Sequence, residues 1–139
     1  MDYSYVDTSA WVSMADRAEA SHERVGDVLS ERRGRLVTSD HVLHETWTVM
    51  RYRHGFGPAE GLLNGIRGGI ARIEVAGLAD LEAAVAIGAA FADQDFSLSD
   101  RTSWAVMERM GVHNAVSLDS DFRVYRFGPG RRRAFSVLP

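Results

Sequence analysis

Short β-prone segments alternate with longer helical segments along this chain, and that alternation restricts the fold more than any other feature. Strands are predicted at residues 3–6, 35–38, 70–75, 112–117 and 135–138. Helices are predicted between them, at residues 8–16, 21–32, 58–68, 79–92 and 99–109, with one more beginning at residue 39 or 40. This order is typical of an α/β sandwich around a mostly parallel sheet. The sequence therefore predicts a three-layer α/β/α architecture.

Composition narrows the class of protein. At 139 residues the chain is expected to form a single domain over residues 1–139. The absence of cysteine excludes disulfides and thiolate metal sites. No apolar run is long enough to span a bilayer and no basic segment of a secretory signal precedes the first strand, so we expect a cytoplasmic protein without membrane contact.

Charge gives a weaker indication. A net charge of −3 argues against a surface built wholly for nucleic acid. All basic residues other than histidine are arginine, whose planar fork suits phosphate. A biased genomic base composition would explain the use of arginine in place of lysine equally well.

Four acidic residues lie at predicted element boundaries, mostly among small hydroxylated neighbours. Asp7 directly follows the first strand, and Asp119 follows the strand that ends near Ser117. Because crossovers between parallel strands are right-handed, the carboxyl ends of the strands share one edge of the sheet, where α/β proteins bind ligands. Asp100 opens a helix and Glu45 lies one turn into another, so their position depends on how those helices pack.

Each of these residues also has a structural explanation when taken alone. Asp7 and Asp100 suit helix N-caps, Glu45 suits a solvated helix face, and Asp119 and Asp121 suit turns. Taken together, however, four carboxylates in one cavity repel one another unless a cation neutralises them. Hard divalent cations select oxygen ligands and can activate water against a phosphodiester. The sequence thus predicts a metal site for nucleic-acid hydrolysis.

Five stretches give the chain a specific likeness. They are VDTSA at residues 6–10, LVTS at 36–39, VLHET at 42–46, FSLSD at 96–100 and VSLDSDF at 116–122. In order, spacing and apolar flanks they resemble the PIN-domain family, and within it the VapC-like toxin ribonucleases of toxin–antitoxin pairs. The resemblance covers essentially the whole chain, and it implies a three-layer PIN-like fold with a metal-dependent, RNA-cleaving site.

The resemblance also implies roles for individual residues. Asp7 and Asp100 correspond to the principal ligands of Mg²⁺ or Mn²⁺, while Glu45 and Asp119 complete the site or orient water at the metal. The serines in two of the quoted stretches, Ser9 and Ser117, correspond to hydroxyl groups that hold those carboxylates by hydrogen bonds. Asp121 is near enough to assist or replace Asp119, although Asp119 is favoured because it lies nearer the strand end.

Partners are implied by the same likeness. They are an RNA substrate, a small antitoxin protein that covers the acidic groove, and a second copy of the chain in a homodimer. Cleavage specificity is expected to depend on groove shape and on loops such as residues 53–58. The alternative function is a PIN-fold module that binds RNA or protein without hydrolysis.

Other patterns are less specific. His41, His44 and Glu45 lie together on one helix, but their order is not the His-Glu-x-x-His arrangement of zinc hydrolases. Arg101 either contacts phosphate or pairs with a neighbouring acid, and the arginine run at residues 131–133 is interpreted as a solvated loop. Three tryptophans are interpreted as core or dimer contacts rather than platforms for stacking bases: Trp11, Trp47 and Trp104.

Overall fold

Five parallel strands form the centre of the protein in a computed structural model that describes residues 2–139. The sheet order is β3-β2-β1-β4-β5, and every neighbouring pair is parallel. The strands are β1 Ser4–Val6, β2 Leu36–Ser39, β3 Arg72–Glu74, β4 Asn114–Val116 and β5 Ser136–Leu138. β1 and β2 are wholly buried, as expected for the middle of a parallel sheet covered on both faces.

Seven α-helices flank the sheet and confirm the predicted three-layer α/β/α fold. They are α1 Thr8–Ala15, α2 His22–Glu31, α3 Asp40–His54, α4 Phe56–Gly65, α5 Leu78–Ala90, α6 Leu98–Met110 and α7 Asp121–Val124. A wider helical turn, Ile66–Ile70, continues α4, and a 3₁₀ turn, Pro129–Arg131, precedes β5. Within residues 2–139, no helix combines the length and the apolar character that crossing a bilayer would require.

Several element boundaries differ from the prediction. α4 begins at Phe56 rather than Pro58, and only Gly55, at φ 96°, separates it from α3. Proline is tolerated there because the first turn of a helix leaves its N–H groups without intrahelical partners. α6 begins at Leu98, one residue before the predicted start, and its N-cap is Ser97. The short helix α7 was not predicted.

A buried aromatic cluster packs α6 against the C-terminal part of the chain. Trp104 on α6 is fully buried and stacks on Tyr125, with ring centroids 4.5 Å apart and planes 5° from parallel. Phe96 and Phe122 meet the same indole edge-on at 4.8 and 5.6 Å. The predicted core role therefore holds for Trp104, and Trp11 is fully buried as well.

Arg101 neither contacts an acid nor lies free for phosphate, in contrast to both expectations. Its guanidinium crosses to α5 and donates to the carbonyl oxygen of Ala84 at 2.9 Å, while Nε donates to that of Phe96 at 3.0 Å. Gly88 makes room for this crossing, because a Cβ there would lie 2.1 Å from an Arg101 nitrogen. Arg101 is thus a structural link between α5 and the start of α6.

Exchanging two helical glycines for alanine should change stability in opposite directions. Gly88→Ala displaces the Arg101 guanidinium, so we expect the free energy of unfolding to fall by about 1 kcal/mol, net of the gain in helix propensity. Gly26 lies in α2 with open space at its Cβ position, so Gly26→Ala should raise it by about 0.5–1 kcal/mol. Urea unfolding measures both, and equal effects at the two sites would contradict the role of Arg101.

Candidate active site

A cavity of about 340 Å³ opens beside the carboxyl ends of β1 and β4. All four carboxylates singled out in the sequence line it: Asp7, Glu45, Asp100 and Asp119. They come from the end of β1, from α3, from the first turn of α6 and from the segment after β4. The common sheet edge accounts for the first and last, while the packing of α3 and α6 brings in the other two.

Asp7 is buried and held by hydroxyl groups. Its Oδ2 accepts hydrogen bonds from Ser9 Oγ at 2.8 Å and from Ser117 Oγ at 3.0 Å. The same oxygen caps α1 by accepting from the backbone N–H of Ser9 at 3.4 Å. Burial raises the pKa of Asp7, and the hydrogen bonds from the two serines oppose that rise. The side chain is therefore fixed in orientation before any ligand arrives.

The serines also connect the two strand ends to each other. Ser117 Oγ accepts from the backbone N–H of Asp119 at 3.1 Å while it donates to Asp7, and Ser9 Oγ accepts from the N–H of Leu118 at 2.9 Å. Asp119 in turn accepts from the N–H of Asp121 at 2.9 Å, which starts α7. One hydroxyl, that of Ser117, thus positions both Asp7 and Asp119.

Asp100 lies at the amino-terminal turn of α6, where Ser97 Oγ accepts from its backbone N–H at 3.1 Å. Burial raises the pKa of Asp100 from its usual 3.8 to about 8, with further upward contributions from the charges of Asp7 and Asp119 and then from Glu45. A carboxyl group with this pKa holds its proton near neutral pH unless a cation approaches.

Asp121 belongs to the same cluster although it does not line the cavity. A carboxylate oxygen from each of Asp100, Asp119 and Asp121 lies within 4.8 Å of the other two. Burial and the charge of Asp119 raise the pKa of Asp121. Asp100 and Asp119 belong to both the cavity lining and this trio, whereas Asp121 belongs to the trio alone. Asp7 and Glu45 line the cavity without belonging to the trio.

His41 lies behind the carboxylates and is engaged at both ring nitrogens. Nδ1 is 2.8 Å from Ser39 Oγ, and Nε2 is 3.1 Å from the carbonyl oxygen of Ser99 and 3.0 Å from Ser103 Oγ. Burial lowers the pKa of His41. Within residues 2–139, His41 and His44 join no cluster of metal-binding groups, so the zinc interpretation has no geometric support.

The donor set fits a hard divalent cation. Every candidate ligand is a carboxylate oxygen, the ligand type that such cations select, and soft sulfur donors are absent from the chain. Burial raises the pKa of Asp100 most, and repulsion from the neighbouring carboxylates raises it further. A cation would relieve that repulsion.

Family comparison agrees with this geometry, since a model of the PIN domain matches residues 4–128. This chain belongs to the PIN-domain family. Among PIN-domain relatives, the "23S rRNA-specific endonuclease VapC20" of Mycobacterium tuberculosis is 32% identical over 124 residues, or 88% of this chain and 94% of that protein. "Ribonuclease VapC26" of the same species is 28% identical over 136 residues, or 96% and 98%.

Solved PIN-domain structures extend the comparison. The crystal structure of Mycobacterium tuberculosis VapC20, described as a toxin that cleaves the sarcin–ricin loop, has a TM-score of 0.81 at 29% identity. The match covers 86% of this chain and 92% of the VapC20 chain. The crystal structure of DNA-bound VapBC from Salmonella typhimurium has a TM-score of 0.70 at 13% identity, and the match covers 99% of this chain and 97% of that chain. At this identity the likeness shows the fold alone.

Two charged residues that line the cavity were not predicted as site residues from the sequence. Residue 53 begins the segment 53–58 on which cleavage specificity was expected to depend, but that segment is helical apart from Gly55 rather than a loop. Arg53 and Glu19 line the cavity together with the PIN-domain carboxylates. Helical spacing could have indicated Arg53, because it follows Glu45 by eight positions and so lies on the same face of α3. Glu19 lies between α1 and α2, where no periodic pattern indicates its direction.

Proposed function

We propose that this PIN-domain protein is an endoribonuclease dependent on Mg²⁺ or Mn²⁺ and acts as the toxin of a toxin–antitoxin pair. The observation that carries the proposal is the convergence of four carboxylates on one cavity, with the pKa of Asp100 raised by burial and by its acidic neighbours. Relatives named as an rRNA endonuclease and a ribonuclease support RNA as the substrate. Ribosomal RNA is therefore the first substrate to test.

In this proposal Asp7 and Asp100 are the principal ligands, and Glu45 and Asp119 complete the site, with Asp121 in reach to assist. A bound divalent cation would activate water and stabilise the charge that develops on the phosphodiester. Ser9 and Ser117 keep Asp7 oriented, so little reorganisation is needed when substrate binds. Because Asp7 and Asp100 are buried, bulk water screens the charges of these two carboxylates less than it would at the surface.

Total RNA incubated with metal-free protein, with and without added Mg²⁺ or Mn²⁺, tests the function. We expect discrete fragments that require metal and that Asp7→Asn removes. Mapping the new RNA ends identifies the target. Binding of RNA without metal-dependent cleavage, by protein shown to be folded and free of antitoxin, would instead favour a non-catalytic PIN-fold module.

Removing the hydroxyl that links two ligands should weaken the site without unfolding the protein. Ser117→Ala removes one of the two hydroxyl groups that hold Asp7 and leaves the N–H of Asp119 without its acceptor. We therefore expect metal affinity to fall about 10–100-fold. Thr48→Ala, which removes an exposed hydroxyl group from α3, is the control and should leave metal affinity unchanged. Unchanged metal affinity in Ser117→Ala would contradict the role of Ser117.

Two protein partners belong to the proposal, an antitoxin and a second copy of this chain. A toxin among the relatives supports the first, and exposed apolar side chains leave surface for either. The most exposed are Tyr52 at 90%, Leu78 at 73%, Val75 at 66% and Phe56 at 63%. Purification together with the product of a neighbouring reading frame, and light scattering, test the two partners separately.

A further inference from the structure

Arg53 is the positively charged side chain of the carboxylate cavity. Of the residues within 2–139 that line this cavity, Arg53 alone is basic. Glu45, Val49 and Arg53 follow one another at successive turns of α3 and all line it. Eight residues of helix place Arg53 about 12 Å along the axis from Glu45, beyond the metal site rather than within it.

The guanidinium of Arg53 is held only by a weak, exposed contact. Its Nη1 lies 3.3 Å from Glu19 Oε1, and the side chains of Arg53 and Glu19 are 49% and 35% exposed. Ion pairs at such exposure contribute little to stability because water and salt screen them. Arg53 can therefore leave Glu19 and pair with another anion at little cost in stability.

RNA presents such an anion beside every nucleotide. The cavity carries several carboxylates, so the phosphates on either side of the cleaved one approach an acidic surface. Arginine offers a planar, permanently charged fork that matches phosphate oxygens. We propose that Arg53 binds an RNA phosphate that flanks the cleaved one and that Glu19 occupies its guanidinium until RNA arrives. This inference rests on the proposed function, because it takes RNA as the ligand.

A purely structural role is the competing explanation, in which Arg53 ties α3 to the segment between α1 and α2. A second pair, His54 Nε2 to Asp16 Oδ2 at 3.1 Å, already connects these elements. The segment between α1 and α2 is itself held by a buried hydrogen bond between Ser13 and Ser21 at 2.7 Å. Arg53 is thus not needed as a tether.

RNA binding tests the inference independently of cleavage. In an Asp100→Asn background, the affinity for a labelled single-stranded RNA oligonucleotide is measured by fluorescence anisotropy across a salt series. We expect Arg53→Gln to weaken binding about tenfold at low salt and to reduce the slope of log affinity against log salt by about 0.7, the loss of one phosphate contact. Glu19→Gln should strengthen binding, since it removes the competing carboxylate.

The matched control is Arg51→Gln, which removes the same charge from an exposed position on α3 outside the cavity lining. Arg51→Gln should change the affinity for RNA by less than about twofold and leave the slope of log affinity against log salt nearly unchanged. Equal effects of Arg53→Gln and Arg51→Gln, or weaker binding in Glu19→Gln, would overturn the inference. RNA that binds through Arg53 but is never cleaved by the protein with intact Asp100 would overturn the proposed nuclease function alone.

Discussion

Replacing Asp100 with asparagine is expected to reduce RNA cleavage by about 10²–10³-fold or more while making the metal-free protein more stable. The loss of activity follows from removing a principal ligand of the proposed metal. The gain in stability follows because burial and neighbouring carboxylates raise the pKa of Asp100 to about 8. Asparagine fills the same space without a charge to desolvate.

The sign of the pH dependence follows from that pKa. The folded-state pKa lies above the unfolded value, so the unfolded chain loses this proton first as the pH rises. Metal-free protein should therefore become less stable between about pH 4 and pH 8, through the carboxyl of Asp100. Above that range Asp100→Asn should raise the free energy of unfolding by about 1–3 kcal/mol.

Urea unfolding in a chelating buffer at pH 5 and pH 8 measures this effect. Asp27→Asn, on an exposed position of α2, is the control and should change stability by less than about 0.5 kcal/mol at both pH values. A loss of stability in Asp100→Asn at pH 8 would contradict a pKa of Asp100 raised by burial and by the neighbouring carboxylates.

Truncating Trp104 to alanine should give the largest loss of stability, about 3–5 kcal/mol. The indole is fully buried and in contact with three other aromatic rings, so its removal leaves a large cavity. Trp104 also fixes α6, which carries Asp100, against Phe122 at the start of α7. Cleavage should therefore decline along with the folded population.

Trp104→Phe separates packing from cavity formation. Phenylalanine retains a ring to stack on Tyr125, and it removes the indole Nε1–H, which has no hydrogen-bond partner among the described residues. We expect a smaller loss, about 1–2 kcal/mol, with cleavage retained. Urea unfolding followed by fluorescence and far-UV circular dichroism compares the variants, and equal losses for alanine and phenylalanine would contradict the packing described here.

The sheet and two of its acidic residues could be predicted from local pattern and topology. β-prone segments followed by polar residues placed Asp7 and Asp119 at the same edge, because parallel strands leave little freedom there. Glu45 and Asp100 were different. Their approach depends on how α3 and α6 pack, which no periodicity encodes, so they were identified through resemblance to a family.

Arg101 and Arg53 show where sequence interpretation stopped. Arg101 follows an acidic residue in the sequence, yet it donates to backbone carbonyls in the space left by Gly88. Arg53 has no acidic neighbour in the sequence, yet it lines the acidic cavity. The direction of a long side chain is set by tertiary contacts that are distant in sequence, such as that between Gly88 and Arg101. The helix α7 was missed for a different reason: it has only four residues and begins with a local contact, in which the N–H of Asp121 donates to Asp119 Oδ1.

Binding of Mn²⁺ to the metal-free protein, followed by electron paramagnetic resonance of the free ion, tests the metal site most directly. We expect saturable binding of Mn²⁺, with an affinity that Asp7→Asn and Asp100→Asn each lower at least about tenfold. The control Asp27→Asn, at an exposed position, should leave the affinity unchanged. Binding that is equally tight in Asp100→Asn and the unaltered protein would contradict the assignment of these carboxylates as the metal ligands.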